Sequence, residues 1–164
     1  MTTMNLKPST TNDGSIVFMR LCLGALFLIF AQYKMFDRAF TREGGFQMWV
    51  QHFLADGAYP FMVPVLRNFV LPHANAIALL VAFGEFAIGL SLVLGLWTKP
   101  ASAFGFVHMM TLLFSSNYPG ERALLWEYFG ASLDHSVLAL CFLCLLLGDP
   151  ERYLSLSRRL RKKN

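Results

Sequence analysis

Charge is scarce in this chain. Only 15% of its residues are Asp, Glu, Lys or Arg, against 55% that are hydrophobic, whereas a soluble domain carries about 25% charged residues. That leaves too little polar surface to cover a soluble domain of 164 residues. It argues against a soluble enzyme, a disordered chain and a nucleic-acid binder. Cysteine is scarce too. Cys22, Cys141 and Cys144 each sit inside an apolar run, and an odd number of such thiols makes no disulfide framework. Cys141 and Cys144 have the C-x-x-C spacing, but Phe142, Leu143, Leu145, Leu146 and Leu147 surround them with apolar side chains, which keeps thiols inert. No Gly-rich phosphate loop, zinc-ligand spacing or nucleophile triad is present, so no metal site is expected. The first apolar run has no small-x-small cleavage site after it and is expected to stay as a membrane helix.

Long apolar runs are what the chain has instead. A spanning helix needs roughly 20 mostly apolar residues. Spans are expected at about 16–36, 75–97, 101–116 and 131–147, giving an all-α integral membrane protein built as a four-transmembrane-helix bundle. Thr98-Lys99-Pro100 is the turn between the second and third spans, and Gly148-Asp149-Pro150 stops the fourth. Between the first two spans, Phe46, Trp49, Val50, Phe53 and Leu54 recur at helical spacing. This predicts a short amphipathic helix in an interfacial segment, 45–71, of the first external loop. The segment is either a cap over the bundle mouth or a lid over a substrate entrance. The layout is therefore a polar N-terminus (1–15), a membrane domain (16–148) and a basic tail (149–164).

Cations outside the spans set the orientation. Lys7, Lys99 and six tail cations (Arg152, Arg158, Arg159, Arg161, Lys162 and Lys163) lie on one side, and Arg38, Arg42, Arg67 and Arg122 on the other. Both termini are thus expected in the cytoplasm, with the tail on anionic lipid. Trp126 and Tyr128 fit an outer aromatic belt.

Ionisable groups inside the spans are costly and mark function by default. Arg20, Gly24, Ala31 and Lys34 share one stripe of the first span. Lys34 either snorkels to its interface or serves a site, and Arg20, deeper, is expected to have an internal partner. Glu85 lies near the middle of the second span, on a seam with Ala78, Ala82 and Gly89. It pairs with Arg20 or Lys34, or is protonated through desolvation. It is either an ion-pair partner that fixes register or a proton-handling, ligand-binding carboxylate. His108, near the middle of the third span, can hydrogen-bond a quinone carbonyl, relay a proton, ligate haem, or be satisfied by a neighbouring helix. Asp134 and His135 open the fourth span as helix-start residues. A haem held between His108 and His135 is disfavoured, because their depths differ by roughly 7 Å at 1.5 Å per residue.

Met19-Arg20-Leu21-Cys22-Leu23-Gly24, Lys34-Met35-Phe36, Gly84-Glu85 with Gly89, Leu94-Gly95-Leu96-Trp97-Thr98 and Leu147-Gly148-Asp149-Pro150-Glu151-Arg152-Tyr153 together resemble the DoxX family of small four-helix membrane proteins. The resemblance covers roughly residues 16–155. The family's end motif looks more like Gly-Pro-Gly-Arg-Tyr, where this chain has two acids, and the first external loop is longer. The family includes the DoxD-type subunit of thiosulfate:quinone oxidoreductase. The resemblance therefore implies a bacterial inner-membrane subunit of a quinone-linked oxidoreductase, linked to sulfur or thiol chemistry. Arg20, Lys34 and Glu85 match the family's polar positions. Glu85 and His108 are the expected catalytic pair, and Arg20, Lys34, Glu85 and His108 the expected quinone or ligand pocket. Quinone is the expected cofactor. The expected partners are the lipid bilayer and redox subunits or further copies of the chain. The alternatives are a structural or assembly subunit docked through its small-residue seams, and a small proton-coupled transporter.

Overall fold

The four apolar runs form the four longest helices, and the segments between them form short ones. The computed structural model describes residues 10–36, 38–148, 150 and 155–156. The expectations for residues 1–9, with Lys7, and for the six tail cations lie outside these residues. Regular structure among the described residues is helical. The chain runs through α1 (Thr10–Phe36), α2 (Arg38–Thr41), α3 (Gly45–Asp56), α4 (Val63–Val65) and a π-helical turn at Leu66–Val70. It continues through α5 (Ala74–Leu94), α6 (Thr98–Ser115), α7 (Leu125–Gly130) and α8 (Leu133–Leu147). Two segments, Gly14–Phe36 and Ala74–Leu94, are long and apolar enough to cross a membrane, and Leu133–Leu147 is a shorter apolar helix.

Several boundaries differ from the sequence reading, for local reasons. The second apolar run ends at Leu94, three residues before the expected limit. Gly95 takes the left-handed conformation (φ 64°), and the amides of Gly95 and Leu96 bond back to the carbonyls of Leu92 and Ser91. That pair of hydrogen bonds is a Schellman stop. Thr98, Lys99 and Pro100, expected as the turn, instead form the first turn of α6, where proline's missing N–H costs no hydrogen bond. α1 begins six residues earlier than expected. Within 45–71, the expected short amphipathic helix is α3, which Gly57 (φ 94°) ends. α2 and α7 were not anticipated.

α1 packs along α5 and α6 along α8, and the two pairs meet through a smaller α5–α6 contact. Glycine sets the first pairing. A Cβ on Gly89 would sit 2.9 Å from the Gly24 carbonyl oxygen and the Leu28 amide nitrogen, and one on Gly24 would sit 2.9 Å from the Val93 amide. The two backbones therefore touch, and the helices are antiparallel with Gly89 level with Gly24–Leu28. Phe142 ties the second pair to the first. Its buried ring fills the space beside Gly105 and meets Phe27 edge-on at 5.0 Å. Leu23, Ile88, Leu92, Met109 and Leu145 complete that core.

The two ends of the bundle are closed differently. At one end α3, α4 and the π-helical turn form a cap around Val50, Ala58 and Leu66, with α2 packed on α3 through Phe40 and Phe46. The cap fastens to the end of α6, where Tyr59 N–H donates to the Phe114 carbonyl and Tyr118 N–H donates to the Gly57 carbonyl. The first of these satisfies an acceptor that the helix end would otherwise leave bare. At the opposite end Arg20 is fully buried and donates to the Pro150 carbonyl (2.8 Å), while Ser155 Oγ donates to the Gly95 carbonyl (2.7 Å). Pro150 and Ser155, from the expected tail, are thus held under the bundle.

Candidate functional site

The α1–α5 register brings Lys34 to Glu85. At 1.5 Å per residue, Lys34 lies about 15 Å beyond Gly24, and Glu85 about 6 Å beyond Gly89 in the same direction. Gly89 itself stands about 3 Å past Gly24, so the two Cα atoms differ in height by roughly 6 Å. Side chains on a helix lean towards its N-terminus. In this antiparallel pair Lys34 and Glu85 therefore lean towards each other, and Nζ reaches Oε1 at 2.5 Å. Arg20, on the same stripe of α1, lies about 21 Å from Lys34 along the axis. It serves the Pro150 end instead, so the expected pocket of Arg20, Lys34, Glu85 and His108 is divided. Arg20 does have an internal partner, the Pro150 carbonyl, at the other end of the bundle from Glu85.

The same oxygen of Glu85 meets His108 Nε2 at 2.9 Å. Glu85 is 5% exposed, and Lys34 and His108 about one-fifth exposed. Phe40 from α2 lies against the ammonium, 5.5 Å from ring centroid to Nζ, a cation–π contact that shields Lys34 from the cap side. Lys34, close against Oε1, supports an ionised carboxylate, and pairing answers the desolvation that protonation would otherwise have to relieve. Glu85 Oε2 is buried and has no hydrogen-bond partner among the described residues.

Glu85 and His108 stand in the wall of a cleft of about 570 Å³ between α5 and α6. The rest of its lining is apolar apart from Ser91 and Thr111, with Ile88, Ala101, Phe104 and Val107 prominent. Gly84 leaves it open, since a Cβ there would meet nothing within 4 Å. The cleft exists because α5 and α6, joined by a tight turn, pack mainly against other helices and diverge from each other. Its rims carry outward-facing Leu80, Trp97 and Phe104, each 70–71% exposed.

The remaining expected residues fall outside this wall. Asp134 lies in the first turn of α8, as a helix-start acid should, with Oδ1 3.2 Å from His135 Nδ1. Cys22 and Cys144 are not buried in the protein as their apolar neighbours implied. They lie exposed on its outer faces, and Cys141 is half-buried. Trp126 is exposed on α7, as a belt residue would be. The sequence reading missed an aromatic cluster under the cap, where Tyr59 lies 5.1 Å from Phe114 and 4.9 Å from Tyr118, ring to ring. Tyr59 donates to the Tyr128 carbonyl. Burial pushes its phenol up, with Tyr128 and Tyr118 adding to the effect.

A family model, DoxX, matches residues 15–117, from inside α1 to just past the end of α6. The chain belongs to the DoxX family. The match takes in Lys34, Glu85 and His108 and stops before α8 and the Gly148–Pro150 motif. Searches of curated proteins and of solved structures find no match. Membership and the two long apolar helices make this DoxX protein a membrane protein, associated with the lipid bilayer.

Proposed function

We propose that this DoxX protein is a bacterial inner-membrane subunit of a quinone-linked oxidoreductase, and that α1, α5, α6 and α8 all span the bilayer with both termini in the cytoplasm. The observation that carries the reading is the apolar cleft with one carboxylate–imidazole pair in its wall. A quinone needs that combination: apolar room for its ring and tail, and a few convergent polar groups for its oxygens. Leu80, Phe104 and Val107 face outward beside the cleft, so in lipid a quinone would enter sideways from the acyl chains. α6 and α8 are shorter than a full span. Outward-facing Leu140 and Leu147 on α8, and the pairing of α8 with α6, favour placing both helices in the membrane. The electrons would come from a partner that oxidises a sulfur or thiol compound.

The docking alternative rested on small-residue seams. Gly24, Gly89 and Gly105 are already filled by Val93, Leu28 and Phe142 of the same chain, which weakens that motive. The transporter alternative shares the cleft, and an ion-flux assay separates it from quinone chemistry.

The test is native mass spectrometry of the gently solubilised protein, with quinone reduction measured in membranes. Co-purified quinone, and slower quinone reduction in Glu85→Gln membranes, is the expected result. Absence of quinone together with unchanged reduction would overturn the reading.

A further inference from the structure

The hydrogen-bonding capacity of the cleft wall is lopsided. An ionised Glu85 accepts only, so the proton in its contact with His108 belongs to Nε2. That choice fixes the tautomer. Lys34 already balances the charge of Glu85, so a neutral imidazole leaves the trio with no net charge, the favourable state in an apolar setting. Neutral His108 then presents Nδ1 as a bare acceptor, and Nδ1 makes no hydrogen bond among the described residues. Glu85 Oε2 is a second acceptor without a donor.

Donors near this point are engaged elsewhere. Thr111 Oγ1 donates to the Val107 carbonyl (2.9 Å), and Lys34 donates to Glu85 and does not line the cleft. Ser91 lies six residues from Glu85, about 9 Å along α5. The donors that line the cleft without an acceptor among the described residues, the Ser91 hydroxyl and the Trp97 indole N–H, lie toward its Gly95 end. The Glu85–His108 end, with acceptors and no free donor, is suited to a ligand that brings a hydroxyl there, and poorly suited to one that presents only a carbonyl.

We propose that the α5–α6 cleft selects the reduced, hydroxyl-bearing form of its ligand, a hydroquinone with an apolar tail, whose hydroxyl donates to His108 Nδ1 while Glu85 holds the imidazole in the accepting tautomer. This rests on the cleft being a quinone site and adds which redox form it holds. His108 is the specificity-determining residue and Glu85 its positioning residue. The oxidised headgroup, with carbonyls only, leaves both acceptors unmet and gains apolar contact alone.

The test is anaerobic binding in nanodiscs, with short-tailed ubiquinol and ubiquinone measured separately by equilibrium dialysis. The native protein is expected to bind the quinol at least about tenfold more tightly, the equivalent of about 1.4 kcal/mol. His108→Gln, whose amide both donates and accepts, is expected to bind the two forms alike while keeping quinone affinity. Gly84→Leu, which fills the cleft from an open position, is expected to abolish binding of both. Equal binding by the native protein, or a preference that survives His108→Gln, would overturn the selection of the reduced form and leave the quinone site standing. No binding of either form, or binding indifferent to Gly84→Leu, would overturn the quinone site itself.

Discussion

Gly84 and Gly89 lie five residues apart on α5, and the structure assigns them opposite responses to one added methyl group. Replacing either with alanine gains helix propensity, about 1 kcal/mol in a helix interior. At Gly84 nothing opposes that gain, because the new Cβ meets no atom within 4 Å. At Gly89 the Cβ would sit 2.9 Å from the Gly24 carbonyl oxygen and the Leu28 amide nitrogen, both backbone atoms of α1. Backbone cannot rotate away as a side-chain tip can, so α1 must shift along its length. Overpacking of this kind costs about 1–3 kcal/mol. The propensity gain is common to both variants and cancels in their difference. Gly84→Ala should therefore be the more stable of the two by about 1–3 kcal/mol, or roughly 2–12 °C in midpoint for a chain of this size. Thermal unfolding of both purified variants in one detergent measures it. The gap should also appear in the site, since a shifted α1 moves Lys34 from Glu85, so Gly89→Ala should lose ligand affinity as well. If Gly89→Ala proves as stable as Gly84→Ala, the backbone contact between α1 and α5 is not what sets their register.

Lys34→Met strands a buried carboxylate and should cost about 3–5 kcal/mol, and adding Glu85→Gln to it should recover part of the loss in the same unfolding assay. Gly95→Ala puts a side chain at φ 64° with its Cβ 2.6 Å from Arg20 Nη1 and 2.7 Å from Ser155 Cα. The left-handed backbone alone costs about 1–2 kcal/mol, and limited proteolysis should then cut the C-terminal segment faster. Burial holds the Tyr59 phenol above its ordinary value, so above about pH 10 the unfolded chain releases that proton first and stability falls as pH rises. Tyr59→Phe should make the loss of midpoint between pH 9 and pH 11 shallower, whatever it does to the midpoint at pH 7. Cys22 and Cys144 lie on faces assigned to lipid, so a water-soluble maleimide should fail to label them in nanodiscs and succeed after denaturation in dodecyl sulfate. Rapid labelling in the bilayer would show that those faces meet water.

The elements of this fold were legible where local chemistry sets them. Apolar length gave the four long helices to within a few residues at most ends, because continuous burial, in protein or in lipid, leaves one way to satisfy the backbone. The errors fell where a backbone conformation decides. Gly95 stops α5 before Trp97 and thereby hands Thr98 to α6, and nothing in the apolar pattern marks that switch. The site was legible in part. Glu85, Lys34 and His108 each announced themselves as costly residues in apolar runs, yet their union did not. Depth counted along single spans put Glu85 at mid-span on α5 and Lys34 near an end of α1, apparently far apart. The cap reconciles them, because α2 and α3 pack against the first part of α5 and let it extend past the end of α1. Lys34, in the last turn of α1, then stands close in height to the middle of α5. The signal that could have found this is the pair Gly24 and Gly89, one on each polar stripe. Aligning those two glycines across an antiparallel pair puts Lys34 about 9 Å from Glu85 along the axis with the two side chains leaning together, and Arg20 about 12 Å from Glu85 with the two leaning apart. The contact with His108 carries no comparable mark. It depends on how far α5 and α6 diverge after Gly95, which is set by the packing of Phe142 and not by α5 or α6 alone.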